Sequence, residues 1–134
     1  MMNDSTSDML TRIRNAQMAM LMETEVIYSS FNVSLLQVLK RLRFIKEYRI
    51  DTEGKFKRLF VSLSYVTVKI GVGVGRINTI KRISKPGKRV YCGAKFFEHL
   101  DYVKNYIVST NKGVMDAIEA KKLGIGGEVL CQIT

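Results

Sequence analysis

The order of hydrophobic patterns in the first half of the chain is the feature that most restricts its fold. Apolar residues recur at helical spacing over residues 3–20, starting with Met9, Leu10 and Ile13, and again over residues 32–43. Strand patterns follow at residues 26–28, 44–50 and 59–68, and the last two flank the turn sequence DTEGK. This αβαββ order predicts one α+β lobe over residues 1–68.

The second half of the chain alternates short strand patterns with turns. Residues 69–76 are predicted to be a connection, because GVGVGR matches neither GxGxxG nor GxxxxGK[ST] and no helical pattern follows it. Strand patterns then cover residues 77–83, 89–91, 106–109 and 128–133, with helical patterns at 96–103 and 115–123. We therefore predict a second lobe over residues 77–134, mostly β with short helices, and an α+β class for the whole chain.

The charge balance is the first indication of a partner. The 134 residues include 22 Lys and Arg but 12 Asp and Glu, so the formal net charge is +10. Such an excess favours a polyanion, with nucleic acid ahead of an acidic membrane surface, although a merely basic protein remains an alternative. Charges interrupt every apolar run before it could span a bilayer, and the polar, slightly acidic start MMNDSTSD is unlike a targeting leader. We expect no membrane partner.

Cysteine chemistry supplies an enzymatic alternative. Cys92 and Cys131 lack CxxC spacing and are expected to be reduced thiols, with Cys131 in the core. Cys92 and His99 could serve as nucleophile and base of a small cysteine-dependent enzyme. The sequence offers no third group to orient the histidine, and its carboxylates form no metal-binding motif. We therefore expect no enzyme, no small-molecule substrate, no metal and no cofactor.

Two polar segments are candidates for binding a polyanion. KRISKPGKRVY places five cations around a turn at residues 84–87, beside Tyr91, whose ring could stack on a base or sugar; a solvated basic hairpin is the alternative. STNKG, residues 109–113, follows a strand pattern and precedes a helical one. It is therefore predicted to form a helix N-terminus that binds an anion or a base edge, with ordinary capping as the alternative. Glycines at 113, 124, 126 and 127 would permit sharp turns and close backbone approach.

Four segments in register resemble one protein family. They are DMLTRIRNAQ (8–17), RISKPGKRVY (82–91), STNKGVM (109–115) and GGEVLC (126–131). These segments resemble the signature blocks of the bacterial-type small-subunit ribosomal protein eight family, over essentially the whole chain. The resemblance implies a two-lobed α+β protein without catalytic activity. It also implies binding to the central domain of small-subunit ribosomal RNA, next to neighbouring ribosomal proteins.

The resemblance also implies three groups of RNA-contacting residues. The RNA-reading loop would comprise Ser109, Thr110, Asn111, Lys112 and Gly113, supported by Gly126, Gly127 and Glu128. A second contact ridge would comprise Ser84, Lys85, Pro86, Gly87, Arg89 and Tyr91. The first helix would contribute Thr11, Arg14 and Asn15 from the other lobe.

The chain departs from the family pattern at several positions. Asn111 stands where the family usually has Ser, and Ser29-Ser30 stands where Ser-Lys is expected, which removes a phosphate contact. Such drift, with 7 methionines, is typical of an organellar member. We expect the protein to be part of a small ribosomal subunit in the mitochondrial matrix. A plastid and the bacterial cytoplasm are the alternative locations. The resemblance leaves open a second role, in which the protein represses translation of its own message.

Overall fold

The computed structural model describes residues 4–69, 72–85, 87–93 and 104–134. The chain divides into two compact units, Asp4–Asn78 and Thr79–Thr134, so the boundary lies slightly beyond the segment 69–76 that the sequence suggested as a connection. Helices and antiparallel sheets occur in both units, and the predicted α+β class is confirmed. Over the described residues, no helix is long and apolar enough to cross a membrane.

The N-terminal unit packs two helices on a three-stranded antiparallel sheet. Its elements are α1 (Asp4–Met18), β1 (Glu23–Val26), α2 (Ser30–Arg41), β2 (Ile45–Asp51) and β3 (Arg58–Leu63), in the predicted αβαββ order. The central strand is β3, with β1 and β2 on its two sides. Alternate β3 residues are buried, as expected for a strand that faces helices on one side and water on the other. Met9, Ile13, Leu35 and Leu39 are fully buried.

A buried polar contact joins α1 to the start of α2. The Thr6 hydroxyl donates to Asn32 Oδ1 at 2.8 Å, and Asn32 Nδ2 donates to the Ile27 carbonyl at 2.8 Å, although Thr6 and Asn32 are 0% exposed. Ser29 caps α2 by accepting a hydrogen bond from Asn32 N, which stabilises a helix by about 1 kcal/mol. These bonds position α1, which carries one of the predicted RNA-contacting groups.

The predicted strand at 59–68 is wrong in one respect, because it consists of two strands. After β3 ends at Leu63 the chain continues as β4 (Tyr65–Lys69), which leaves the first sheet to pair with β5 (Val72–Gly75). The segment 69–76 therefore includes a paired strand. The hairpin is fastened to α1 by Gln17, whose amide donates to the Ile77 carbonyl and accepts from Ile77 N. A Cβ at Gly75 would overlap the Gln17 side chain, which would then have to move away from its two bonds to Ile77.

The C-terminal unit is built around its last strand. The described elements are β6 (Ile80–Arg82), β7 (Tyr91–Cys92), β8 (Asn105–Thr110), β9 (Gly113–Asp116), α3 (Ala117–Leu123) and β10 (Gly127–Ile133). β10 pairs with β6 and β7 along one edge and with β8 along the other, and β9 pairs with β8. α3 ends at Gly124 with a left-handed backbone (φ 69°). The helix predicted at 96–103 lies outside the described residues.

Candidate RNA-binding site

The segment 109–113 contains the end of β8 and the turn of a β-hairpin at residues 110–113, not a helix N-terminus. β8 and β9 pair up to Thr110 and Gly113, and α3 starts only at Ala117. The prediction from sequence was therefore wrong about the local structure. The helical pattern at 115–123 is continuous with α3, and a four-residue strand is too short to produce a clear alternation of its own.

Thr110 holds this turn together from within. Its hydroxyl accepts a hydrogen bond from Lys112 N at 3.1 Å and donates to the Gly113 carbonyl at 2.8 Å. Gly113 has a φ of 117°, which strongly favours glycine. The side chains of Asn111 and Lys112 are exposed, whereas Ser109 and Thr110 are half-buried. The turn thus offers an amide and an ammonium group to solvent on a backbone that Thr110 stabilises.

Residues 84–85 and 87–89, the lysine turn, lie beside the edge of β10 that is opposite β8. Lys85 and Lys88 exchange two backbone hydrogen bonds of 2.9 Å, and both residues are exposed. The segment is fastened to β10 because Ile83 N donates to the Leu130 carbonyl and Val129 N donates to the Val90 carbonyl. Lys88 was not among the residues implied by resemblance. The sequence had already identified Lys88 as one of the five cations around this turn.

Ser84 is the predicted contact residue whose environment differs most from the prediction. It is 0% exposed, and its hydroxyl accepts from Val90 N at 2.9 Å and donates to the Val90 carbonyl at 3.3 Å. In this structure the hydroxyl closes the base of the lysine turn. Ser84 therefore supports the turn instead of presenting a group to a ligand.

Ser84→Ala is expected to destabilise the protein by about 1–3 kcal/mol, because it leaves the Val90 N–H without its partner. Urea unfolding and hydrogen exchange of the Val90 amide would measure the effect. Ser34→Ala is a control, because the Ser34 hydroxyl bonds only to the Ser30 carbonyl of its own helix, and a change within about 0.5 kcal/mol is expected. Weaker RNA binding with unchanged exchange at Val90 would contradict this supporting role.

Glu128 also supports the candidate site through a buried ion pair. Its carboxylate is 6% exposed and pairs with Arg89 Nη1 at 3.2 Å. Arg89 is itself half-buried, so this pair links the lysine turn to the first residues of β10. Tyr91, by contrast, is 69% exposed, as a ring available for stacking must be.

Gly126 and Gly127 allow the start of β10 to approach closely the backbone at the end of β7 and that of β8. A Cβ at Gly127 would collide with the Ser109 carbonyl oxygen, and one at Gly126 would collide with the Cys92 carbonyl and lie 2.8 Å from Gly93 Cα. Contacts under 3.0 Å to backbone atoms cannot be relieved by a side-chain rotation. The predicted close backbone approach is confirmed at Gly126 and Gly127, whereas Gly113 and Gly124 have the positive φ of sharp turns and no close backbone neighbour among the described residues.

The strand register brings the two candidate segments together. Glu128 is the partner of Tyr91 on β7 and of Ser109 on β8, so one residue of β10 separates the exposed ring from the start of the hairpin turn. The two segments therefore lie at the same end of one sheet. Pro86 lies outside the described residues.

The N-terminal unit carries the third predicted group. Thr11, Arg14 and Asn15 are all exposed on α1. Positions 11, 14 and 15 are three or four residues apart, so they share one face of the helix. Arg12 beside them is bound to Asp8 by an ion pair of 2.7 Å.

The thiols have properties opposite to those of an activated nucleophile. Burial raises the pKa of Cys92, and it raises the pKa of Cys131 to about 12. Reactive cysteines need a lowered pKa, so both thiols are protonated at neutral pH. His99, the proposed base, lies outside the described residues. Within the ranges that the structure describes, no cluster of three or more His, Cys, Asp or Glu residues could hold a metal ion.

The fold and this end of the sheet define a basic α+β protein with the surface chemistry of a polyanion-binding protein. The profile of the family described as Ribosomal protein S8 matches residues 4–134. Small ribosomal subunit protein uS8c of Phaeodactylum tricornutum is 45% identical over 134 residues and covers 99% of each chain. The proteins named uS8 of Geobacter sulfurreducens and Helicobacter acinonychis are 43% and 41% identical, over 98% and 99% of each chain. The chain belongs to the ribosomal protein S8 family, and the resemblance inferred from the sequence is confirmed.

Proposed function

We propose that this chain is a structural constituent of the small ribosomal subunit that binds small-subunit ribosomal RNA and lies next to other small-subunit proteins. Family membership and the names of its relatives support this role. The formal charge of +10 agrees with a polyanionic partner, since cationic side chains replace the counterions of RNA.

One observation carries the assignment of the binding surface. The register of β10 places the exposed Tyr91 ring and the hairpin turn at residues 110–113 on either side of Glu128. A stacking ring and a polar turn at one end of a rigid sheet can bind an irregular RNA helix, because unpaired bases offer both faces and edges. The exposed lysines Lys85, Lys88 and Lys112 supply phosphate contacts around them.

Within this role, we assign the central domain of the small-subunit RNA as the target, and α1 as a second contact. The exposed face of Thr11, Arg14 and Asn15 supplies a hydroxyl, a guanidinium and an amide for this purpose. The ribosome in question is of the bacterial type. Its location in the mitochondrial matrix stays a prediction, since the relatives reported come from Phaeodactylum tricornutum and from bacteria.

Lys112→Ala is expected to weaken RNA binding by roughly 5- to 10-fold and to reduce the slope of log K against log salt by about 1, because one phosphate contact is lost. Ser109→Ala should weaken binding without changing that slope, because a hydroxyl releases no counterion. Titration of a transcript of the central domain at several salt concentrations would measure both effects.

Lys122→Ala is the matched control for Lys112→Ala. Lys122 is an exposed lysine of the same unit but lies in the last turn of α3. Its removal should leave the affinity within about twofold, because it contacts no RNA in this arrangement. Equal losses for Lys112→Ala and Lys122→Ala would indicate only general attraction to the basic surface. Failure of the unaltered protein to bind the transcript would overturn the proposed function.

A further inference from the structure

An exposed phenylalanine between two lysines marks a second surface of the N-terminal unit. Phe56 follows Lys55 and precedes Lys57 in the loop between β2 and β3, and its side chain is 75% exposed. No function has been assigned above to these three residues. Covering a solvent-exposed aromatic ring of this size with another surface is favourable, because it removes apolar area from water.

Phe56 borders a cleft of about 410 Å3 that also contains Tyr28, Lys57 and Arg12. Arg12 lies on α1 three residues before Asn15, so it borders the helix face assigned above to RNA. The cleft therefore extends a surface already proposed to contact the nucleic acid.

The charges of the cleft favour an anion. Among the described residues that line it, Glu25 is the acidic one, and Arg58 binds its two carboxylate oxygens at 2.8 and 2.9 Å. These bonds hold the pKa of Glu25 below its ordinary value, so it is ionised and already neutralised by Arg58. The charge of Arg12 is likewise neutralised, by an ion pair with Asp8. Lys57 remains as a cation with no carboxylate partner among the described residues.

The two lysines are already placed over aromatic rings. Lys57 Nζ is 5.2 Å from the centre of the Tyr28 ring, and Lys55 Nζ is 5.6 Å from the centre of the Phe56 ring. A protein pocket that enclosed Phe56 would have to remove water from both neighbouring ammonium groups, which is costly without anionic partners. A nucleotide avoids this cost, because its base covers the ring while its phosphate pairs with an ammonium group.

We propose that this cleft binds one unpaired nucleotide of the RNA, with the base stacked on Phe56 and the phosphate paired with Lys57. The inference rests on the proposed function, since it takes RNA as the partner. It adds a stacking contact in the N-terminal unit, separate from the hairpin turn and lysine turn of the C-terminal unit.

Phe56→Leu tests the stacking contact, because it keeps an apolar side chain but removes the aromatic face. Affinity for small-subunit RNA should fall by roughly 5- to 100-fold, the usual range for loss of one stacked base, whereas Phe56→Tyr should bind like the unaltered protein. Crosslinking with ultraviolet light and mass spectrometry should find one nucleotide attached to residue 56 or Tyr28. Lys57→Ala should reduce the salt slope by about 1, and Lys46→Ala, which removes an exposed lysine of β2 outside the cleft, should not.

The outcomes separate this inference from the proposed function. If the unaltered protein binds the RNA but Phe56→Leu binds equally well and no crosslink forms in the cleft, the nucleotide site is wrong and the ribosomal role stands. If Phe56→Leu impairs incorporation into subunits while RNA affinity is unchanged, the partner of Phe56 is a protein and the inference is overturned. If the unaltered protein binds no ribosomal RNA, both are overturned.

Discussion

Gly127→Ala is expected to destabilise the C-terminal unit by about 1–3 kcal/mol and to weaken RNA binding by at least about tenfold. The added Cβ would collide with the Ser109 carbonyl oxygen, so β8 and β10 would have to separate where the hairpin turn begins. The displaced turn would then no longer present Asn111 and Lys112 in register with Tyr91. Urea unfolding, hydrogen exchange of β8 and β10 amides, and RNA titration would measure the three consequences.

Gly93→Ala is the control for this substitution. A Cβ at Gly93 would meet no atom of the described residues within 4 Å, and Gly93 has no left-handed φ that would disfavour alanine. Stability and affinity should therefore stay close to those of the unaltered protein. If Gly127→Ala matched Gly93→Ala in hydrogen exchange, the close backbone approach would not be important for the site.

Glu128→Ala is expected to cost about 1–3 kcal/mol of unfolding free energy, because it removes the buried carboxylate that accepts a hydrogen bond from the half-buried Arg89 guanidinium. Glu128 is 6% exposed and the Arg89 side chain is 21% exposed, so water replaces this contact less readily than it does at an exposed pair. The lysine turn should also loosen, since Arg89 forms its last part. Urea unfolding and hydrogen exchange around residues 88–90 would reveal both changes.

Glu47→Ala is a matched control that shows whether the cost of losing an ion pair depends on its burial or on the distance between its charged atoms. Glu47 pairs with Lys40 at 2.9 Å, shorter than the 3.2 Å between Arg89 and Glu128, but the two side chains are 53% and 46% exposed. Exposed pairs contribute only about 0–1 kcal/mol, so Glu47→Ala should have a small effect. Equal costs for the two substitutions would contradict the importance assigned to burial.

The N-terminal unit was largely predictable because its signals are local. Helical periodicity located α1 and α2 to within a few residues, and the DTEGK turn predicted the pairing of β2 and β3. Short elements caused the errors. The division of residues 59–68 at Ser64 has no distinct signal, because Ser62 and Thr67 interrupt the same segment without dividing a strand. Similarly, β9 is included in the helical pattern that continues into α3.

The candidate site was predictable in residue type but not in side-chain direction. The sequence identified the lysine turn and the hairpin turn, yet it assigned RNA contacts equally to Ser84, Thr110 and Lys112. The structure separates these roles: Ser84 and Thr110 bond to the backbone of their own turns, whereas Lys112 is exposed. A hydroxyl is able to serve either purpose, and only the position of the backbone around it decides between them.

The sequence by itself determined the family, the positive charge and the order of most elements, because each depends on residue identity or on spacing within a few residues. The tertiary structure alone decided which polar groups bond to the backbone of their own turns and which are exposed to solvent. Arg89 and Glu128 are 39 positions apart, and Ser109 meets Glu128 only through strand pairing. Burial and orientation follow from such distant pairings, which local periodicity does not record.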